Sequence, residues 1–134
     1  MDKERFAYYK THIETMDTEH WEILHTLDLV NNALHTQDLL LLKSLAAEMN
    51  VLLHKHYSNE ERYMHSVKYP YIKAHTAEHI ILKEEMDNIV KSITSMYYIN
   101  KITGDWLINK LNVLLIGHID EHDLQYADFV RINK

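Results

Sequence analysis

The segment "HTAEH", residues 75–79, places two histidines four residues apart in an apolar-striped stretch that follows the only proline of the chain, Pro70. On a helix this spacing stacks His75 and His79 on one face, one turn apart. A proline fits the first turn of a helix, because the N–H that it lacks is not needed there. The sequence therefore predicts a helix that begins near Pro70 and ends near Tyr97. Its apolar stripe consists of Ile72, Ile80, Leu82, Met86, Ile89 and Ile93.

Three further segments repeat apolar residues with helical spacing and are separated by short polar stretches. The first ends at "HTQD", where Thr36 or Asp38 can cap the helix that follows. With two glycines and one proline in 134 residues, long helices are favoured over strands joined by tight turns. We expect an all-α fold, an antiparallel up-down-up-down four-helix bundle at about 16–131 after an N-terminal arm at 1–15, within a single domain, 1–134. The three further stripes are Met16, Ile23, Leu24, Leu27, Val30 and Leu34; Leu41, Leu45, Met49, Leu52 and Leu53; and Leu107, Leu111, Leu114, Leu115, Ile119, Tyr126 and Phe129.

The composition argues against several classes of protein. A formal net charge of −6 is unlike that of a nucleic-acid-binding protein, which needs a basic surface. The absence of cysteine removes disulfides, thiolate ligands and iron–sulfur clusters, so a metal must be held by nitrogen and oxygen. The opening "MDKERFAYYK" lacks the apolar core of a signal peptide. Apolar runs such as "LLLL" at 39–42 are too short to cross a membrane. We therefore expect a cytoplasmic protein without membrane insertion.

Histidines and an acidic residue recur at matching distances from the predicted turns. In antiparallel helices, two residues equally far from their shared turn lie at the same height along the bundle. With turns near 37, 68 and 97–104, the residues brought to one level are His20, His56, Glu60, His75, His79 and His118. Five imidazoles and a carboxylate buried at one depth are costly unless they bind a metal. Nitrogen and oxygen donors of these types suit iron, manganese, zinc or copper. With a second carboxylate there are seven such residues, which exceed what one ion holds, so two ions are expected.

Four motifs resemble those of the hemerythrin family, in particular its stand-alone bacterial members. The motifs are "MDTEH" ending at His20, "HYSNE" with His56 and Glu60, "HTAEH" with His75 and His79, and "HIDEHD" with His118 and Asp123. The similarity includes "EERYM" and "YP" and runs from about Met16 to Phe129. It implies two irons bridged by Glu60 and Asp123, with oxygen bound reversibly at the second. The first iron would be held by His75, His79 and His118, and the second by His20 and His56.

The donor count agrees with this implied role. If both irons are six-coordinate and share two carboxylates and one hydroxide, the three-histidine iron is full and the two-histidine iron keeps one open position. The di-iron oxidases of ferritin-like bundles use more carboxylates, including paired Glu-x-x-His motifs, and this chain has no such pair. Leu24, Leu115 and Ile119 are expected to keep the oxygen pocket dry. Leu114 stands where bacterial relatives commonly carry tryptophan, so the pocket shape is expected to differ from theirs.

The last ligand is not decided by helix geometry. His122, four residues after His118, lies on the same face of an ideal helix, whereas Asp123 lies about 140° around it. The resemblance favours Asp123, because a carboxylate bridges two irons more readily than an imidazole. We expect Asp123 in the site and His122 at the surface. The other histidines expected to be solvated are His12, His25, His35, His54 and His65.

Three classes of function stay open at this point. The expected function is reversible oxygen binding at a di-iron centre, for storage or for delivery to an oxygen-requiring enzyme, by a monomer that is not itself an enzyme. The alternatives are an oxygen or redox sensor that acts through a partner, and a di-iron peroxidase or ferroxidase. An exposed apolar face would favour the sensor, and access for a substrate would favour the enzyme.

Overall fold

The computed structural model describes residues 3–133, and in this part of the chain every regular element is a helix. The α-helices are α1 (Lys3–Ala7), α2 (Glu14–His35), α3 (Leu39–Ser66), α4 (Ile72–Thr94), α5 (Lys101–His118) and α6 (Leu124–Ile132). One π-helical turn, Ile119–Asp123, joins α5 to α6 without a break in the helical backbone. Across residues 3–133, no helix combines the length and apolarity needed to cross a membrane.

Four long helical segments form the bundle: α2, α3, α4, and α5 continued by α6. Helix α3 packs against both α2 and α4, and α2 also packs against α5. The connections at 36–38, 67–71 and 95–100 are short, so successive segments run antiparallel. The expected all-α, up-down-up-down four-helix bundle is therefore confirmed.

Side-chain caps determine where two of these helices begin. Asp38, one of the two residues proposed for this role, accepts a hydrogen bond from the backbone N–H of Leu41 (3.1 Å) at the start of α3. Asn100 does the same for Thr103 (2.8 Å) at the start of α5. Each cap satisfies a backbone donor that has no partner within its own helix. The loops at 36–38 and 95–100 therefore end at defined residues.

Two details around α4 differ from the sequence-based expectation. Helix α4 begins at Ile72 with Tyr71 as its N-cap, so Pro70 lies in the preceding turn and not in the first turn of the helix. Ile80, expected in the apolar stripe, is 58% exposed. It follows the buried His79 directly, and one residue corresponds to about 100° of rotation around a helix. The inward face of α4 therefore excludes Ile80.

The N-terminal arm contains α1 and packs on the bundle. The ring of Phe6 meets the ring of Trp21 in α2 edge-on, with centroids 5.3 Å apart. Because α2 begins at residue 14, the arm ends at residue 13, two residues before the predicted end at residue 15. Residues 1, 2 and 134 of the predicted domain lie outside the described residues, and the single-domain assignment stays a prediction.

Two apolar clusters fill the bundle, one on each side of a layer of buried polar side chains. The larger cluster occupies most of the bundle length, and the smaller consists of Met16, Met64, Tyr69 and Tyr126. On α2, for example, the buried His20 lies between Met16 of the smaller cluster and Ile23 of the larger one. The polar layer is therefore shielded by apolar side chains at both ends.

Candidate metal centre

All seven residues predicted as metal ligands meet in the buried polar layer. Their exposed fractions are at most 3%. Helix α2 contributes His20, α3 contributes His56 and Glu60, α4 contributes His75 and His79, and the last segment contributes His118 and Asp123. The pairs in α3 and α4 are four residues apart, so each pair lies on one inward face. The structure thus brings together residues from all four long segments.

The π-helical turn determines which of two neighbouring residues enters this layer. The backbone N–H of Leu124 donates to the carbonyl of Ile119, five residues earlier, so the turn contains one residue more than an α-helical turn. The extra residue rotates Asp123 onto the face of His118, where Asp123 is fully buried. In an uninterrupted α-helix, His122 would occupy this position.

His122 is not the solvated surface residue that the sequence suggested. Its ring stacks on the ring of His118, with centroids 5.3 Å apart and planes at 29°. Its side chain is 30% exposed, and its Nε2 lies 4.0 Å from Glu78 Oε1. It is therefore half-buried beside the cluster. The other five histidines expected to be solvated are exposed: His12, His25, His35, His54 and His65.

One oxygen of each carboxylate faces a group of three histidines. Glu60 Oε1 lies 2.7 Å from His75 Nε2 and 2.9 Å from His79 Nε2. Asp123 Oδ1 lies 2.9 Å from His75 Nε2 and 3.0 Å from His118 Nε2. The Nε2 atoms of His79 and His118 are 3.1 Å apart. Five donor groups therefore converge here.

The second oxygen of each carboxylate faces the other two histidines. Asp123 Oδ2 lies 2.9 Å from His20 Nε2. Glu60 Oε2 lies 3.0 Å from His56 Nε2 and 3.7 Å from His20 Nε2. Four donor groups converge at this second point, and Glu60 and Asp123 belong to both. This division matches the one that the resemblance implied, with the two carboxylates shared between the groups.

These donor atoms fit metal ions better than they fit one another. His20 Nε2, His56 Nε2 and both carboxylate oxygens of Asp123 are buried without a hydrogen bond from any described residue, because their short contacts lack suitable geometry. Such unpaired groups cost about 1–3 kcal/mol each. Two nitrogens that each lie about 2.1 Å from one ion, with a right angle between the two bonds, are about 3.0 Å apart. The Nε2 atoms of His79 and His118 are 3.1 Å apart, which is close to this value. The donor set therefore fits bound transition-metal ions.

Comparison with known proteins identifies the family. The family model described as the Hemerythrin HHE cation binding domain matches residues 11–130. The chain belongs to the hemerythrin family. It is also similar to bacteriohemerythrins from three strains of Campylobacter jejuni subsp. jejuni, each 29% identical over 113 residues that cover 81% of this chain and 77% of the relative. No solved structure gives a significant match.

The family assignment confirms the resemblance seen in the motifs. Hemerythrin HHE domains are cation-binding domains by description, and this chain carries a buried cluster of imidazoles and carboxylates able to hold a cation. Metal binding by this hemerythrin domain is thus supported by the family and by the geometry independently.

Without a metal ion, the charges in the hemerythrin centre are balanced by protons. Burial raises the carboxyl pKa values of Glu60 and Asp123, but the surrounding histidines outweigh it and hold both pKa values below their usual range. Burial lowers the pKa values of His20 and His118, but the two carboxylates outweigh it and raise them to about 9 and about 10. For His79 burial prevails, and its pKa is lowered. Metal ions binding at neutral pH must therefore displace protons from imidazoles.

Ferrous iron should accordingly release protons when it binds to the metal-free protein. His20 and His118 hold protons at pH 7 because their pKa values are raised, and each must lose one to donate its Nε2 lone pair. The pKa values of His56 and His75 are raised as well, so we expect the release of at least about two protons per chain. The apparent iron affinity should rise between about pH 6 and pH 9. An anaerobic titration in weak buffer with a pH indicator measures the release. An affinity that falls as the pH rises would contradict the prediction.

Two tyrosines support the donors, and the sequence reasoning did not assign them to the site. The ring of Tyr57 stacks on His79, with centroids 4.2 Å apart and planes at 18°. The hydroxyl of Tyr126 donates to Glu60 Oε2 (3.2 Å). Tyr126 had been placed in an apolar stripe, where its hydroxyl gave no separate signal. Tyr57 directly follows His56, and this adjacency was the available sequence signal.

Two further carboxylates lie behind the histidine rings. Glu61 Oε2 is 3.5 Å from His79 Nδ1, so Glu61 lies just outside the donor set, beside Glu60. Glu19 Oε1 accepts a hydrogen bond from His56 Nδ1 (2.9 Å). Glu19 is not among the site residues that the sequence predicts. The signal that could have found it is the register, because Glu19 precedes His20 and therefore lies at the height of the ligands.

A small cavity opens onto the two-histidine group. Its polar wall consists of His20, His56, His118 and Asp123, and its other wall of Ile23, Leu53, Tyr57, Leu115 and Ile119. The cavity is about the size of one water molecule. Leu115 and Ile119 line it as expected, but Leu24 does not. Leu24 is buried in the larger apolar cluster, and Ile23 takes the place expected of it.

Proposed function

We propose that this hemerythrin domain binds molecular oxygen reversibly at a pair of iron ions, for storage or for delivery to an oxygen-requiring enzyme. The observation that carries the proposal is the unequal division of donors, five groups on one side and four on the other, with the cavity lined by both histidines of the smaller group. A ferrous pair supplies the two electrons that reversible oxygen binding requires.

The residues of the chain make the two sides unequal. The shared carboxylates Glu60 and Asp123 serve both groups, so the difference is one imidazole. The side of His20 and His56 is one donor short of the other, and the cavity lies against these two histidines. The cavity and the missing donor therefore lie on the same side of the centre.

The cavity wall supports binding without turnover. Ile23, Leu53, Leu115 and Ile119 surround the space with aliphatic carbon, which excludes water from the two-histidine side. Water exclusion slows the loss of bound oxygen as peroxide, so this wall favours an oxygen-binding protein over an enzyme.

An anaerobic titration with ferrous iron, followed by exposure to oxygen, tests this proposal. We expect saturation at about two irons per chain, because donors that converge on two separate points do not satisfy one ion. Oxygen should then produce a visible absorption that disappears when oxygen is removed. Saturation near one iron, or a preference for zinc without an oxygen response, would contradict the proposal. Rapid consumption of peroxide or of an added reductant, without a stable oxygenated form, would favour the enzyme.

Replacing Ile119 with alanine should speed the irreversible oxidation of the iron-loaded protein in air severalfold, without changing the number of irons bound. Ile119 lines the cavity and follows the ligand His118, so the smaller side chain admits water next to the ions. Ile93→Ala is the matched control, because Ile93 is as buried as Ile119 and lies in the same apolar cluster but does not line the cavity. Both variants should lose about 2–5 kcal/mol of stability. Equal oxidation rates in the two variants would contradict a water-excluding role for Ile119.

An oxygen sensor is the second candidate, because three apolar side chains of α5 are exposed on one side of the helix. Ile102, Trp106 and Val113 are 83%, 59% and 70% exposed and share one side of the helix. Helix α5 also carries His118 at its end, so a change at the centre can act on this face. An oxygen-dependent change in hydrogen exchange along α5 would favour the sensor, and unchanged exchange would favour the carrier.

A further inference from the structure

The Nδ1 atom of His56, on the edge of the ring that faces away from the donor cluster, is hydrogen-bonded to a carboxylate on a neighbouring helix. Its Nε2 faces Glu60 in the donor cluster, whereas its Nδ1, on the opposite edge of the ring, donates to Glu19 Oε1 (2.9 Å). His56 belongs to α3 and Glu19 to α2, so this bond crosses the helix interface. The Glu19 side chain is 17% exposed, which shields the bond from most of the solvent.

The carboxylate of Glu19 is itself fixed at both oxygens. Its Oε2 accepts a hydrogen bond from Asn59 Nδ2 (2.6 Å), while the guanidinium of Arg62 donates to Asn59 Oδ1. Asn59 lies three residues after His56 on α3, so one face of α3 presents both donors to the same carboxylate. Two points of attachment determine the orientation of Glu19, and through it the orientation of the His56 ring.

Other histidines of the cluster lack such a partner. The Nδ1 atoms of His20, His79 and His118 are buried and have no hydrogen-bond partner among the described residues. The carboxylate nearest to His79 Nδ1, that of Glu61, is 3.5 Å away. The two-histidine side, which has the smaller donor set, therefore contains a histidine with a short bond to a carboxylate.

We propose that Glu19 is the positioning residue of the two-histidine side: it holds His56 with the proton on Nδ1 and with Nε2 directed at the metal, and it strengthens Nε2 as a donor. The proposal rests on the two-ion function proposed above. A carboxylate behind a metal-binding imidazole fixes the tautomer and increases the electron density on the ligating nitrogen. On a side with four donor groups in place of five, the loss of one well-placed nitrogen has the larger effect.

Stepwise binding of cobalt(II) to the full chain tests the proposal, with the variants Glu19→Ala, Glu19→Gln and Glu22→Ala. Glu22→Ala is the matched control, because it removes the same charge from an exposed position of α2. We expect Glu19→Ala to weaken the weaker of the two cobalt sites about 10- to 100-fold and to leave the stronger site unchanged. Glu19→Gln should fall between Glu19→Ala and the natural protein, because the amide oxygen still accepts from His56. Glu22→Ala should bind as the natural protein does.

The reduction potential of the iron-loaded protein gives a second measurement, which a purely structural role of Glu19 would not change. A charged acceptor behind His56 stabilises the ferric state, so Glu19→Gln should raise the potential and Glu22→Ala should not. The proposal would be overturned if Glu19→Ala weakened both cobalt sites equally. It would also be overturned if Glu19→Gln kept the cobalt affinities and the reduction potential of the natural protein. If Glu19→Ala does not fold, Glu19→Gln alone decides. Binding of a single metal ion by the natural protein would instead contradict the two-ion function.

Discussion

Asp123→Ala is expected to abolish tight binding of an iron pair, whereas His122→Ala should leave both irons bound. Asp123 Oδ1 lies 2.9 Å from His75 Nε2, and Asp123 Oδ2 lies 2.9 Å from His20 Nε2, so one carboxylate serves both donor groups. Its removal leaves four groups on one side and three on the other, from five and four. We expect the affinity for the second iron to fall at least about 100-fold, or about 2.8 kcal/mol.

The comparison with His122→Ala is matched, because the two residues are neighbours in the same π-helical turn. His122 packs against His118 from outside the cluster, so its loss removes a ring contact and not a shared donor. Iron per chain after anaerobic loading and desalting measures the effect, and circular dichroism confirms that both variants are folded. Loss of the pair in His122→Ala with the pair retained in Asp123→Ala would reverse the assignment.

Iron loading is expected to raise the melting temperature by about 12–20 °C. A ligand that binds the folded state alone, at 1,000 times its Kd, stabilises that state by about 4 kcal/mol. For a domain of this length, each 1 kcal/mol corresponds to about 3–5 °C. The metal-free protein also keeps buried donor atoms of His20, His56 and Asp123 without hydrogen bonds, which lowers its stability further.

Thermal unfolding with ferrous iron and with a chelator, both under argon, measures this shift. The variant Asp123→Ala serves as the control, because it lacks the shared carboxylate and should lose more than half of the gain. Equal melting temperatures with and without iron in the natural protein would contradict a buried metal centre coupled to folding.

The helices were largely predictable because their signals are local. The predicted break at "HTQD" coincides with the loop at 36–38, and Asp38 caps α3 as proposed. The errors occur at single residues. Pro70 lies before α4 and Ile80 is exposed, because the exact start of a helix and the edge of its buried face depend on neighbouring segments. The cytoplasmic location, the monomeric state, the absence of a nucleic-acid partner and the absence of enzymatic activity stay predictions.

The composition of the cluster was also predictable, but its surroundings were not. All seven predicted residues lie together. Six of them were predictable because the constant rise of a helix converts distance from a turn into depth along the bundle, and Asp123 was predictable from the family resemblance alone. The cavity wall was predicted less well. Ile23 lines it and Leu24 does not, although both are buried on the same side of α2. This difference depends on how α2 is rotated against its neighbours, which an apolar stripe defines only coarsely.

By itself the sequence determined four helices, their antiparallel order and the depth at which the donors meet, because apolar period and helix rise are regular and local. The family resemblance favoured Asp123 over His122, but only the tertiary structure shows how Asp123 enters the cluster and that Glu19 binds the Nδ1 atom of His56. One additional residue in the π-helical turn rotates everything after it, yet the apolar stripe continues through Tyr126. The bond between Glu19 and His56 requires two helices to meet at one rotation. Both outcomes depend on rotation about helix axes, which packing sets.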